Sequence, residues 1–217
     1  MMSGARYQVG EVIGRGGMGV VHRGRDRLLG INDALKFLRT DDPGAVARLF
    51  REARAQARLQ HDGLCRVYDV GEHDGRAFIA MQLVDGPSLR GCGPTLALRE
   101  RVRIARDVAT AIHVAHRVGV IHRDLKPSNI LCATGDDGRV RPVVIDFGLA
   151  RALDAASITR SGQVVGTPAY MAPEQASGNT AAIDRRTDVY ALGATLYELC
   201  AGGPPFGGRD HLRVIDD

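Results

Sequence analysis

The sequence predicts an α+β protein in two parts: a small antiparallel sheet carrying one helix over residues 1–84, then a mainly helical part over residues 85–217. Three observations predict it. Short runs rich in branched residues, separated by glycine-bearing turns, fill the first part. A long run with apolar residues at helical spacing opens the second. Beyond it, short apolar pieces alternate with polar loops until a last helical run.

Strands are expected at residues 7–13, 20–24 and 34–38, then at 64–70 and 77–83. Asp74-Gly75 suits a tight hairpin turn between the last two. One helix interrupts the series. Asp42 can cap it, Pro43 suits its first turn, and Val46, Leu49, Phe50, Ala53 and Ala57 recur on one face. Residues 86–94 are rich in glycine and proline and are expected to be a loop. Residues 98–117 read as a helix with Leu98, Val102, Ala105, Val108, Ala109, Ile112 and Ala115 on one face and Gly119 as its stop. Short apolar pieces follow at 119–121, 130–132 and 143–145. A last helix is expected over 187–200, closed by Gly202-Gly203-Pro204-Pro205.

Composition narrows the function classes. The net charge of +4 is mild, and the arginines are spread along the chain, which argues against a nucleic-acid partner. Four cysteines with no C-x-x-C pair argue against a zinc site or a disulfide framework and fit a reducing cytosol. The first residues lack the apolar stretch of a signal peptide, and no apolar run reaches membrane-spanning length, so a cytoplasmic location is expected. Of 29 basic residues only Lys36 and Lys126 are lysines. A lysine that persists in such a background can mark a place where a compact ammonium is needed. Random placement is the plain alternative.

Gly14-Arg15-Gly16-Gly17-Met18-Gly19-Val20-Val21 fits G-x-G-x-x-G-x-V. Glycines let backbone N–H groups approach phosphate oxygens. A dinucleotide-binding turn would need a helix after the glycines, whereas a strand-like VVHRG follows; a simple glycine-rich hairpin also fits. Further on, Ala34 and Lys36 share one face of a strand. The small residue leaves room for a flat ring and the ammonium can meet phosphate oxygens, though a single strand lysine is more often only solvated. Glu52 on the following helix can pair with it. His122-Arg123-Asp124-Leu125-Lys126-Pro127-Ser128-Asn129 precedes a strand and then Asp146-Phe147-Gly148. Phosphoryl transfer needs a carboxylate to orient a hydroxyl, oxygen ligands for Mg²⁺, and positive charge on the migrating group. Asp124, the pair Asn129 and Asp146, and Lys126 can supply these three.

This set of motifs resembles the protein kinase family, across essentially the whole chain. The resemblance implies a two-lobed kinase fold, with residues 1–84 as the ATP-binding lobe and 85–217 as the catalytic lobe. It implies ATP and Mg²⁺ as cofactors. Ile13 to Val21 would cover the phosphates, with Val21, Ala34 and Leu131 around the adenine. Met81 would be the gatekeeper, and Gln82 to Val84 the backbone that contacts the ring. Lys36 would pair the phosphates and Glu52, Asp124 would be the catalytic base, and Asn129 and Asp146 would hold the metal. Ala172-Pro173-Glu174 matches A-P-E, and Asp188 matches the aspartate that braces the catalytic loop.

Lys126 and the run GTPAYMAPEQ resemble the Ser/Thr class, and with FREAR they look like bacterial kinases related to the penicillin-binding-associated receptor kinases. A protein Ser/Thr hydroxyl is then the expected substrate. Thr159 and Ser161 occupy positions that relatives phosphorylate, Arg123 would receive such a phosphate, and self-association would serve phosphorylation in trans.

Two departures stand out. The resemblance implies further second-lobe helices past the GGPPF segment that this sequence is expected to lack, so the A-P-E glutamate is expected to miss its usual arginine, and Val189, Leu192, Leu196 and Leu199 to lose cover. Asp33 stands where the pattern has an apolar residue; facing away from Lys36, it is expected to matter little. Besides an active kinase, two readings stay open: an impaired fragment that binds nucleotide or a partner, and a small-molecule phosphotransferase of related fold. His113 and His116 are expected on a helix surface, and Tyr190 and Tyr197 in the core or at its boundary.

Overall fold

The computed structural model describes residues 6–17, 19–40, 42–135, 137–147 and 168–206. These fall into two compact units, residues 6–60 with 65–84, and residues 61–64 with 85–147 and 168–206.

The first unit is an antiparallel sheet in the order β1-β2-β3-β5-β4. Its strands are β1 (Tyr7–Gly16), β2 (Gly19–Asp26), β3 (Ile31–Leu38), β4 (Val67–His73) and β5 (Arg76–Gln82). The turn between β4 and β5 is the expected one: Asp74 and Gly75 both have positive φ, +50° and +73°, as a two-residue turn matched to strand twist requires. β4 starts later than predicted. Leu64 belongs to the second unit, where it bridges Val144, so the apolar run at 64–70 is shared between two structures.

Alternation along β3 buries Leu35 and Phe37 with Tyr7, Phe78 and Ala80 on one face. Tyr7 meets Phe78 edge-on at 5.3 Å. Burying a ring of this size contributes about 2–3 kcal/mol. Asp33 shares this face and is only 1% exposed, with Oδ1 lacking a hydrogen-bond partner. Burial, then repulsion from Asp26, pushes its carboxyl up to about 6. The residue expected to matter little is therefore a buried polar liability. Helix α1 (Pro43–Gln56) begins as predicted: the Asp42 side chain accepts from the N–H groups of Gly44 and Ala45, and Pro43 follows at the first helical position.

The second unit is built on α3 (Leu98–Arg117), whose bounds match the sequence reading. Its buried stripe does not. Ile104, Ala105, Val108, Ala111, Ile112 and Ala115 are buried, whereas Leu98 and Val102 are 59% and 48% exposed. Ala109 of the expected stripe is exposed as well, and the helix packs against α5 (Arg185–Ala201) and the hairpin strand β7 (Val140–Val144). β7 pairs antiparallel with β6 (Ile130–Thr134).

The expected loop at 86–94 contains a short helix, α2 (Leu89–Cys92), followed by a 3-10 turn at Gly93–Thr95. Glycine content concealed it, because Gly91 and Gly93 weaken the helical signal without forbidding the conformation. Helix α4 (Pro173–Ala176) begins inside the A-P-E motif, at its proline. Gly202 ends α5 in the left-handed region at φ +83°. Arg101 on α3 donates to three carbonyls, those of Leu96, Pro94 and, at 2.6 Å, Leu199 near the end of α5. On α5, Val189 and Tyr197 are 64% and 52% exposed. Leu199, expected to lose cover, is buried, and Tyr197 is not a core residue.

Candidate active site

The two units each hold part of the predicted machinery. In the first, β1 and β2 form the glycine hairpin, with Gly14 opposite Val21, Arg15 opposite Val20, and Gly16 opposite Gly19. Gly19 is demanded by the fold itself, since a Cβ there would lie 2.0 Å from the Phe37 carbonyl oxygen. Gly16 and Gly17 are different: a Cβ at either would meet nothing within 4 Å. Packing against the described residues does not explain those two glycines. Met18 lies outside the described residues, and Ile13 is exposed.

Val21 pairs with Lys36, and Ala34 pairs with Met81. Ala34, Lys36 and Met81 are buried; Val20, Val21, Gln82 and Val84 are half-buried. Lys36 is only 3% exposed, an unusual place for an ammonium without an ionic role. Glu52, on α1, has a buried carboxylate oxygen.

In the second unit the loop carrying His122, Arg123 and Asp124 hangs from Asp188. This residue is fully buried in the first turn of α5. Its Oδ2 accepts from the His122 N–H at 2.8 Å and from His116 Nε2 at 2.7 Å, and its Oδ1 accepts from the Arg123 N–H at 2.7 Å. Burial works to raise this carboxyl, but the hydrogen bonds from His116 and the two backbone groups outweigh it and hold it below the usual range. His116 is thus no surface residue. It is 72 positions from Asp188, and no local pattern could have announced the pair.

His122 carries the loop one step further. The Ile145 carbonyl can only accept, so His122 Nε2–H donates to it at 2.9 Å. That leaves Nδ1 to accept the Asp124 N–H at 3.2 Å. The imidazole stacks obliquely on Phe147, centroids 4.6 Å apart. Arg123 adopts φ +67°, costly for a residue with a Cβ. The conformation is held from both sides, by Asp188 at its N–H and by Gln175 Nε2 at its carbonyl, 2.7 Å away. Gln175 was not picked out from sequence. Glu174 beside it accepts from the Thr187 hydroxyl.

The loop presents Asp124. Lys126 Nζ lies 2.9 Å from its Oδ1 and 2.8 Å from its Oδ2, and Asn129 Nδ2 lies 3.0 Å from Oδ2 and 2.8 Å from the Asp124 carbonyl oxygen. With its amide nitrogen so engaged, Asn129 has its oxygen left for another partner. The Asn129 carbonyl also accepts from the Ile145 N–H at 2.9 Å, which ties the strand leading to Asp146. Asp146 has φ +64°. Leu131 lies half-buried on β6. Mg²⁺ takes one or two protein oxygens and completes its shell with water and substrate phosphates. The oxygens of Asn129 and Asp146 fit such a donor set. Residues 148–167, with Thr159 and Ser161, lie outside the described residues.

The protein kinase domain model matches residues 7–216. The chain belongs to the protein kinase family. Among curated kinases, the serine/threonine-protein kinase PknB of Mycobacterium leprae is 41% identical over 221 residues, covering 96% of this chain and 34% of the relative. A probable PknB of Bifidobacterium longum is 42% identical, covering 98% of this chain and 32% of its own. The chain therefore spans about a third of the length of these curated relatives. The solved kinase domain of Mycobacterium tuberculosis PknI matches with TM-score 0.74 and 31% identity, over 96% of this chain and 80% of that one. Among the described residues of this kinase, no helix is long and apolar enough to cross a membrane.

Proposed function

We propose that this chain is the catalytic core of a Ser/Thr protein kinase that transfers the γ-phosphoryl of Mg·ATP to protein hydroxyls. The observation that carries the reading is the Asp124 carboxylate, held by Lys126 and Asn129 at the end of a loop whose backbone is fixed by Asp188.

Asp124 orients the substrate hydroxyl and accepts its proton on a carboxylate oxygen. Lys126 has three donors, enough to hold Asp124 and also to meet a phosphate oxygen as charge develops. Asn129 and Asp146 would hold Mg²⁺, which supplies positive charge to the phosphate oxygens. In the first unit, Gly16 and Gly17 offer backbone N–H groups to phosphate. Lys36, braced by Glu52, is the ammonium for the α- and β-phosphates. Ala34, Val21 and Leu131 flank the adenine, Met81 is the gatekeeper, and Gln82 and Val84 present backbone groups to the ring. The kinase acts in the cytoplasm or tethered to its membrane, and it phosphorylates Thr159 and Ser161 of a second copy.

The test is intact-mass and phosphosite analysis after incubation with Mg·ATP and a generic protein substrate, beside Asp124→Asn and Asp146→Asn. Phosphate gained by the wild type and lost in both variants is expected. Retained nucleotide binding with no transfer would overturn this reading and favour a nucleotide-binding module.

A further inference from the structure

We propose that Cys92 and Cys132 form a peroxide-sensitive thiol pair that closes to a reversible disulfide between α2 and β6. The two residues are 40 positions apart in sequence, yet the fold brings the Cys92 thiol close enough to act on the Cys132 thiol. Their meeting is set by backbone. The Cys132 N–H donates to the Pro87 carbonyl at 2.8 Å, Ser88 bridges Leu131, and the Cys92 N–H donates to the Ser88 carbonyl at 3.1 Å. The approach is close: a Cβ on Gly86 would lie 2.2 Å from the Cys132 carbonyl oxygen. The segment entering α2 therefore lies against β6, with Cys92 at the end of α2 and Cys132 in the middle of β6. α2 is a single turn, able to yield the small shift that disulfide geometry asks for.

The two sulfurs have different parts. Cys132 is 3% exposed, and burial, aided by the Cys92 thiol, pushes its thiol up. It is kept as a thiol and does not begin the reaction. Cys92 is half-buried and open to a small oxidant. Hydrogen peroxide takes two electrons from the Cys92 sulfur, giving a sulfenic acid and one water. The Cys132 sulfur then attacks the Cys92 sulfur. The S–S bond forms, the S–O bond breaks, and the hydroxyl leaves with the Cys132 proton as a second water. A dithiol reverses the bond by exchange. The remaining cysteines serve as internal controls: Cys65 is buried with its thiol directed at the Arg66 and Gln82 carbonyls, and Cys200 is exposed on α5.

The experiment treats the whole chain with a small excess of hydrogen peroxide, blocks residual thiols, and maps peptides without reduction. A linked peptide pair carrying Cys92 and Cys132 is expected, with the loss of two hydrogens and full reversal by dithiothreitol. Cys92→Ser should abolish the link. Cys132→Ala should also abolish it and send Cys92 on to sulfinic acid several-fold faster than in the wild type. Thermal melts of the reduced variants establish that each is folded. If wild-type Cys92 is over-oxidised as fast as in Cys132→Ala, or links instead to Cys200, the proposal is wrong. None of these readouts depends on kinase activity.

Discussion

Asp33 and Asp188 are both buried aspartates, 1% and 0% exposed, and their surroundings treat them in opposite ways. Asp188 accepts three hydrogen bonds and is held ionised, below the ordinary carboxyl range. Asp33 keeps one oxygen unsatisfied in the sheet and rises to about 6. The difference is not depth but partners. A buried charge organises its neighbourhood when donors converge on it, and burdens the fold when they do not. Asp188 holds the loop that bears Asp124 in place; Asp33 occupies a position where an apolar side chain would pack.

The sharpest test of that contrast is Asp188→Ala. It strands two backbone N–H groups and His116, so a loss of about 3–5 kcal/mol is expected in urea unfolding, together with loss of phosphoryl transfer. Removing only the side-chain donor, with His116→Ala, should cost about 1–3 kcal/mol and leave the two backbone bonds in place. If that variant matched Asp188→Ala, the backbone bonds would contribute little.

Asp33→Val should act in the other direction and stabilise by about 1–2 kcal/mol at neutral pH. Its pH dependence has a definite sign. The folded-state value of about 6 lies above the ordinary 3.8, so the fold binds this proton more tightly than the unfolded chain does. Stability from this group is full below the unfolded value and is lost as pH rises through about 6. The advantage of Asp33→Val over the wild type should therefore shrink as pH falls from 6 towards 4 in paired urea melts. An advantage that stays constant would mean that packing, not charge, sets the cost. The smallest effect is expected from Asp42→Ala. This exposed aspartate satisfies two helix N–H groups, and its loss should cost about 1 kcal/mol in thermal melts.

What the sequence disclosed follows from range. The Asp42 cap, the Asp74-Gly75 turn and the bounds of α3 depend on neighbours within a few residues, and all were legible. The loop motifs were legible too, because their chemistry sits in one short run. His116 with Asp188, Gln175 with Arg123, and Cys92 with Cys132 were not, since each pair is joined only by tertiary packing. Leu98 and Val102 failed for a related reason. Helical spacing marks a face, but not how far along the helix a neighbour covers it.

The scarcity of lysine has a practical consequence. This chain has two ε-amines, and both sit among the residues proposed for phosphoryl transfer: Lys36 buried on β3, and Lys126 locked against Asp124. Amine-directed chemistry, whether enzymatic acylation or a laboratory labelling reagent, has no harmless lysine on which to spend itself. Apart from the amino terminus, every covalent mark of that kind becomes a report on how open the proposed site is, position by position.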